Sequence, residues 1–178
     1  NIRSITIKSN ITSIGKDAFG TMNKLNTFVY LGTTTPTCNE VIFTGSSLLN
    51  KVYSNSSYSG TTTFCQTTCE NTINSNGLCG TTMKYITTNN NELIIYGEGE
   101  MNVINENKPW QQYENSIETI EMKEGVTTIN NDVFKPVTQL QTISIPSTIS
   151  TIQEYMFTYH SKLETINIAE MNPNYKSI

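Results

Sequence analysis

The sequence predicts a repeat solenoid of the mainly-β or α/β class, one coil per 23 residues. Three observations carry this: apolar residues at fixed recurring offsets, strand-like alternation within each copy, and a hairpin-like stretch that interrupts the series. The period shows best in "LQTISIPSTISTIQEYMF", where Leu140, Ile143, Ile145, Ile149, Ile152 and Phe157 are apolar. One period earlier, Ile117, Ile120, Met122, Val126, Ile129 and Phe134 fall on the same offsets. One period later come Leu163, Ile166, Ile168 and Tyr175, with polar Asn172 breaking the run. Near the start, Ile2, Ile5, Ile7, Ile11, Ile14 and Phe19 repeat the pattern, followed by Leu25, Phe28 and Tyr30. With 36% hydrophobic residues overall, six chosen positions fill by chance in roughly two cases per thousand, so three filled copies mark a true repeat.

Each copy has a physical logic. Its first part, L-x-x-I-x-I, alternates like a short strand, and the following x-x-I-x-x-I turns the chain inward every third residue. One such coil exposes an apolar edge that only a neighbouring coil can bury, so copies stack into a one-dimensional core. Residues 1–58 read as the end of a first array, decaying into the looser "TTTPTCNEVIFTGSSLLNKVYSNSSYSG". Residues 59–82 read as a cysteine-containing linker of small polar residues. Residues 83–116 read as a β-hairpin cap, "MKYI" and "ELIIY" flanking "TTNNN", with Trp110 packed beneath it rather than holding a ligand. Residues 117–178 read as the start of a second array. The pattern is already under way at residue 1 and breaks off within a copy, so a segment of a longer chain is expected.

The stretches "LQTISIPSTISTIQEYMF", "ITIKSNITSIGKDAF" and "IETIEMKEGVTTINNDVF" resemble the BspA-like class of leucine-rich repeats, with its approximate consensus L-x-x-I-x-I-P-x-x-V-x-x-I-G-x-x-A-F. The segment from Cys79 to Ile120 resembles the β-rich leader that precedes arrays in that family. The resemblance implies a leucine-rich-repeat solenoid with short strands on its concave face, interrupted by the cysteine loop and the hairpin cap. It further implies a non-enzymatic, extracellular or cell-surface adhesion module facing a host protein, a matrix component, a glycan or another cell. The other reading is a passive spacer, or stalk, within a longer surface protein.

Composition narrows the partners. Formal charge is −4, charged residues are 15%, and the 11 basic residues lie singly, which argues against a nucleic-acid partner. No run of about 18 apolar residues is present, so direct membrane insertion is not expected. Asn, Ser and Thr supply more than a third of the chain, so the surface is largely neutral hydroxyl and amide.

Cys38, Cys65, Cys69 and Cys79 form an even set which, with the surface-protein resemblance, suggests two disulfides. Three pairings are possible, and spacing does not choose; Cys38 with Cys65 and Cys69 with Cys79 is the pairing favoured. Four thiolates holding zinc is the competing reading, although C-x3-C-x9-C matches a zinc site poorly. His160, the single histidine, falls three residues after a repeat phenylalanine, where the other copies carry Met22 and Val137, and so reads as packing. Acidic residues between Glu92 and Glu124 read as solvated surface, and "GEGE" at 97–100 as a turn. Asn10-Ile11-Thr12 and Asn55-Ser56-Ser57 fit the glycosylation sequon no more often than chance allows. No metal, cofactor or catalytic constellation is called for.

In leucine-rich repeats the residues between the apolar anchors face the concave sheet. Here these are Ser4 and Thr6, Thr27 and Val29, Thr119 and Glu121, Thr142 and Ser144, and Thr165 and Asn167. Four threonines share one register, a column that serves β-propensity and cross-strand pairing and could also contact a partner.

Overall fold

The structure is a computed structural model describing residues 2–38, 40–49, 52–55, 57–59, 63–101 and 108–169. Its strands are β1 (Ser4–Ile7), β2 (Thr27–Tyr30), β3 (Val52–Asn55), β4 (Thr63–Phe64), β5 (Thr67–Leu78), β6 (Lys84–Thr88), β7 (Glu92–Tyr96), β8 (Gly99–Glu100), β9 (Thr119–Met122), β10 (Val126–Thr128), β11 (Thr142–Ile145) and β12 (Thr165–Ile168). Helix among the described residues is limited to single 3-10 turns at Gln111–Tyr113 and Asn131–Val133. Contacts divide the chain into two units, residues 1–74 and 75–178.

In the first unit β1, β2, β3 and β5 pair in parallel, in that order. Ile5 pairs with Phe28, one period on; Phe28 pairs with Val52, one residue beyond a period; Val52 pairs with Cys69 after a much shorter coil. The outer turns stack as well: Ile14 N–H donates to the Thr37 carbonyl at 3.0 Å and Phe19 N–H to that of Ile42 at 2.9 Å. Inside lie Leu25, Phe28, Tyr30, Ile42, Phe43, Val52, Tyr58 and Phe64, with Ile5, Ile7, Ile11 and Phe19 packed against them.

Residues 59–82 depart from the expected linker, because they carry β4 and the 12-residue β5. A threonine-rich stretch is polar, yet threonine is β-branched and fits a pleated surface well. β4 and β5 form a hairpin whose two-residue loop, Cys65-Gln66, has both φ values positive (46° and 67°), the geometry that matches strand twist.

In the second unit β6 and β7 form the expected antiparallel hairpin, and β7, β9, β11 and β12 continue in parallel. Leu93 pairs with Ile120, Ile120 with Ile143, and Ile143 with Ile166, so the predicted files are built. Ile120 and Ile143 are fully buried, while Ile166 is 43% exposed on the last described strand. Trp110 is fully buried, its ring 5.6 Å from that of Tyr85 and 6.4 Å from that of Phe134, which places it beneath the hairpin. Only the first half of "GEGE" bends the chain, Gly97 having φ +121° and so little room that a Cβ would sit 2.5 Å from the Thr82 carbonyl oxygen, while Gly99 and Glu100 form β8, paired in parallel with β10.

Candidate functional site

Strand alternation gives the second unit two unlike faces. Ile120, Met122, Ile143 and Ile145 point into the core, and Thr119, Glu121, Thr142 and Ser144 point away from it, half-buried. Register aligns Thr119 with Thr142 and Thr142 with Thr165, and beside them Glu121 with Ser144 and Ser144 with Asn167. Thr165 and Asn167 are exposed. The polar face therefore carries two ladders across β9, β11 and β12, with rungs about 4.8 Å apart.

Side chains along this face are tied to one another. Lys123 Nζ contacts Glu121 Oε1 at 2.6 Å, and Asn167 Nδ2 donates to Ser144 Oγ at 3.4 Å. Towards the hairpin the ladders meet Glu92 and Ile94 in register. Ile94 and Tyr96 are buried there, so the accessible polar patch lies on β9, β11 and β12.

The first unit is different. Ser4 and Thr6 are half-buried, but Thr27 and Val29 are fully buried, so these two leave the expected contact surface. β2 has a strand on either side, and Val29 has the aromatic Tyr53 beside it in register, a neighbour outside the 23-residue pattern.

The cysteines also depart from expectation in part. Cys38 and Cys65 are joined, their Cα atoms 5.3 Å apart, while Cys69 and Cys79 are buried thiols. The second bridge does not form because Cys69 lies in the core of the first unit and Cys79 in that of the second. The intervening extended strand also rises about 3.3 Å per residue, and a disulfide needs Cα atoms within about 7 Å. Cys69 Sγ donates to Ser54 Oγ at 3.2 Å, and burial pushes the Cys79 thiol up to about 12. A four-thiolate zinc site fails as well, since two of its four sulfurs are spent on the bridge. Among the described residues, no group of three His, Cys, Asp or Glu side chains could hold a metal.

His160 is buried, its Nε2 3.0 Å from the Phe134 carbonyl oxygen. The acidic residues are more than solvated surface. Glu124 accepts from Ser147 N–H at 2.7 Å and Ser147 Oγ–H at 2.9 Å, and Glu118 accepts from Asn91 Nδ2 at 3.2 Å. Asn10 does equivalent work in the first unit, its Oδ1 accepting from the N–H groups of Thr33 and Thr34 at 2.7 and 3.2 Å. These staples join neighbouring coils. The signal that finds them is a polar pair one period apart, Glu124 with Ser147 or Asn10 with Thr33.

Parallel coils stacked on a shared core, one polar strand face, and turns stapled across the repeat define a leucine-rich-repeat solenoid, a fold that generally serves as a binding or structural scaffold. The chain belongs to the BspA type Leucine rich repeat region family, matched in 6 copies over residues 1–96 and 103–178. Proteins of this type are typically surface-associated. A crystal structure of a leucine-rich repeat protein from Eubacterium ventriosum ATCC 27560 is similar at 23% identity and TM-score 0.48, over 54% of this chain and 26% of that one. This chain thus spans about a quarter of that protein's length. No curated protein matches the sequence significantly. No helix among the described residues is long and apolar enough to cross a membrane.

Proposed function

We propose that the chain is a non-enzymatic, extracellular adhesion module whose polar strand face contacts a protein of the host or matrix. The observation that carries this is the pair of accessible ladders, Thr119–Thr142–Thr165 and Glu121–Ser144–Asn167, over a core that is already filled. Such a face offers hydroxyl, amide and carboxylate groups at regular spacing to a partner backbone. The Cys38–Cys65 bridge supports the compartment, since disulfides persist where the surroundings are oxidising. The buried state of His160 supports the absence of catalysis, because its ring is not presented to a substrate.

The test is to immobilise the chain, challenge it with matrix proteins and host cells, and repeat with the double variant Thr142→Lys, Thr165→Lys. Two lysines on adjacent rungs repel each other and crowd the face, so binding should be lost while the fold is kept. Undiminished binding by the double variant removes the strand face from the proposal. A spacer role is the second reading, favoured by the buried Thr27 and Val29 of the first unit, and absence of binding under every condition would support it.

A further inference from the structure

Charge is unevenly spread along the chain. Eight glutamates and two lysines fall between residues 92 and 124, a net of −6, so the remainder of a chain of charge −4 sums to +2. Both of those lysines are already engaged: Lys123 Nζ meets Glu121 at 2.6 Å and Lys108 Nζ meets Glu114 at 4.0 Å.

Two of the remaining carboxylates border the polar strand face. Glu92, at the start of β7, is in register with Thr119, which faces away from the core, so Glu92 lies on the same side. Glu118 immediately precedes β9, so the two carboxylates stem from neighbouring strands, about 4.8 Å apart and one residue out of step. Both residues are half-buried. Thr88 Oγ1 donates to Glu92 Oε2 at 3.0 Å and Asn91 Nδ2 to Glu118 Oε1 at 3.2 Å, so neutral donors hold the two groups without cancelling their charge. The ion pairs of the described residues involve other carboxylates, those of Glu40, Glu114, Glu121 and Asp132.

Like charges on neighbouring strands cost stability, and a cation placed between them removes that cost. One strand further on, β11 presents Thr142 and Ser144, which are neutral. The face therefore runs from anionic at β7 and β9 to uncharged hydroxyls at β11, and each of these three strands has a described strand on either side.

We propose that the partner of this face is a basic polypeptide segment. Its lysine or arginine side chains sit against Glu92 and Glu118, and its backbone lies over the hydroxyls of Thr119, Thr142 and Ser144. The inference rests on the strand face being the contact surface and adds the sign of the partner's charge. Complementary charge steers encounter and rejects partners of like sign, so an acidic protein is disfavoured on the same surface. A polypeptide fits better than a small polyamine because the hydroxyl rungs can both donate to carbonyls and accept from N–H groups, and a polyamine offers no carbonyl.

The test is fluorescence anisotropy of short labelled peptides, one alternating lysine with threonine and one alternating glutamate with threonine, titrated with the whole chain. The lysine peptide should bind and the glutamate peptide should not. Raising NaCl from about 0.05 M to about 0.5 M should weaken binding about tenfold through screening. Glu92→Gln with Glu118→Gln keeps an acceptor for Thr88 and Asn91, so this variant should fold, and it should weaken the lysine peptide about tenfold. Glu100→Gln with Glu154→Gln removes the same charge from exposed positions off the face and should bind as the parent does. Equal losses in the two double variants, spermine binding as tightly as the peptide, or no binding of the lysine peptide at low salt overturns the proposal. Matrix-protein binding that Thr142→Lys, Thr165→Lys abolishes and Glu92→Gln, Glu118→Gln leaves intact overturns it too, while the strand face stands.

Discussion

In the first unit Phe19, Phe28, Phe43 and Phe64 pack ring against ring with centroids between 4.9 and 5.7 Å apart, whereas the second unit fills its strand files with Leu93, Ile120, Ile143 and Ile166. The difference follows coil length. Branched aliphatic side chains stack in file only when successive coils place them at one register, and β9, β11 and β12 keep the 23-residue period. Large rings bury more surface each and meet edge-on, tilted or stacked, so they fill the space beneath coils of unequal length. An irregular array then needs a further restraint, and the Cys38–Cys65 bridge ties the short coil between β3 and β5 to the coil between β2 and β3. The regular array relies on hydrogen bonds repeated one period apart.

Removing a ring should be the harshest test of this contrast. Phe28 is fully buried and touches the rings of Phe19, Phe43 and Phe64, so Phe28→Ala should cost about 3–5 kcal/mol. Urea unfolding should show the loss, with amide-exchange protection falling in β1, β2 and β3. A loss below about 1 kcal/mol would mean that the aromatic stack is not what supports the irregular coils. Next in size is the bridge. Replacing Cys38 and Cys65 together by serine frees a 27-residue separation and should cost about 3 kcal/mol, with exchange rising first in β3 and β5. Unchanged protection there would assign the short coil's order to packing alone.

The aliphatic files were legible in the sequence because each position answers to a single demand, burial against the same position one coil away. The segment from residue 59 to 82 was not, because its order comes from backbone pairing of β5 with β3 and β4, which composition does not display. The polar ladders were legible as well: Thr119, Thr142 and Thr165 share a register in the sequence and in the fold. The burial of Thr27 and Val29 was hidden, since Tyr53 arrives beside Val29 through a coil one residue too long for the period. The thiol state of Cys69 and Cys79 was hidden for a related reason, being decided by which core each one enters.

A smaller effect probes the staples of the regular array. Thr148 Oγ1 accepts from Gly125 N–H at 3.0 Å and donates to the Val126 carbonyl at 2.7 Å, closing one coil onto the next. Thr148→Val keeps the shape and removes both bonds, leaving a half-buried turn with unmet backbone groups at a cost of about 1–2 kcal/mol. Fluorescence of Trp110, the only tryptophan, should report the lower unfolding midpoint. A midpoint equal to the parent's would show that the files alone hold the second unit in register.

The smallest effect is expected where a polar residue occupies a position that its sibling copies leave apolar. His160 Nε2 bonds the Phe134 carbonyl oxygen at 3.0 Å, and Nδ1 is buried with no hydrogen-bond partner among the described residues. Met22 and Val137 stand at the same place in other copies. His160→Leu therefore gives up one hydrogen bond, a net of about 1 kcal/mol, and relieves the desolvation of a ring nitrogen that costs a similar amount. The two should nearly cancel, leaving stability within about 1 kcal/mol of the parent at neutral pH. A loss of 3 kcal/mol or more, about what removing a whole buried network would give, would show that the histidine organises the Phe134 turn rather than filling it.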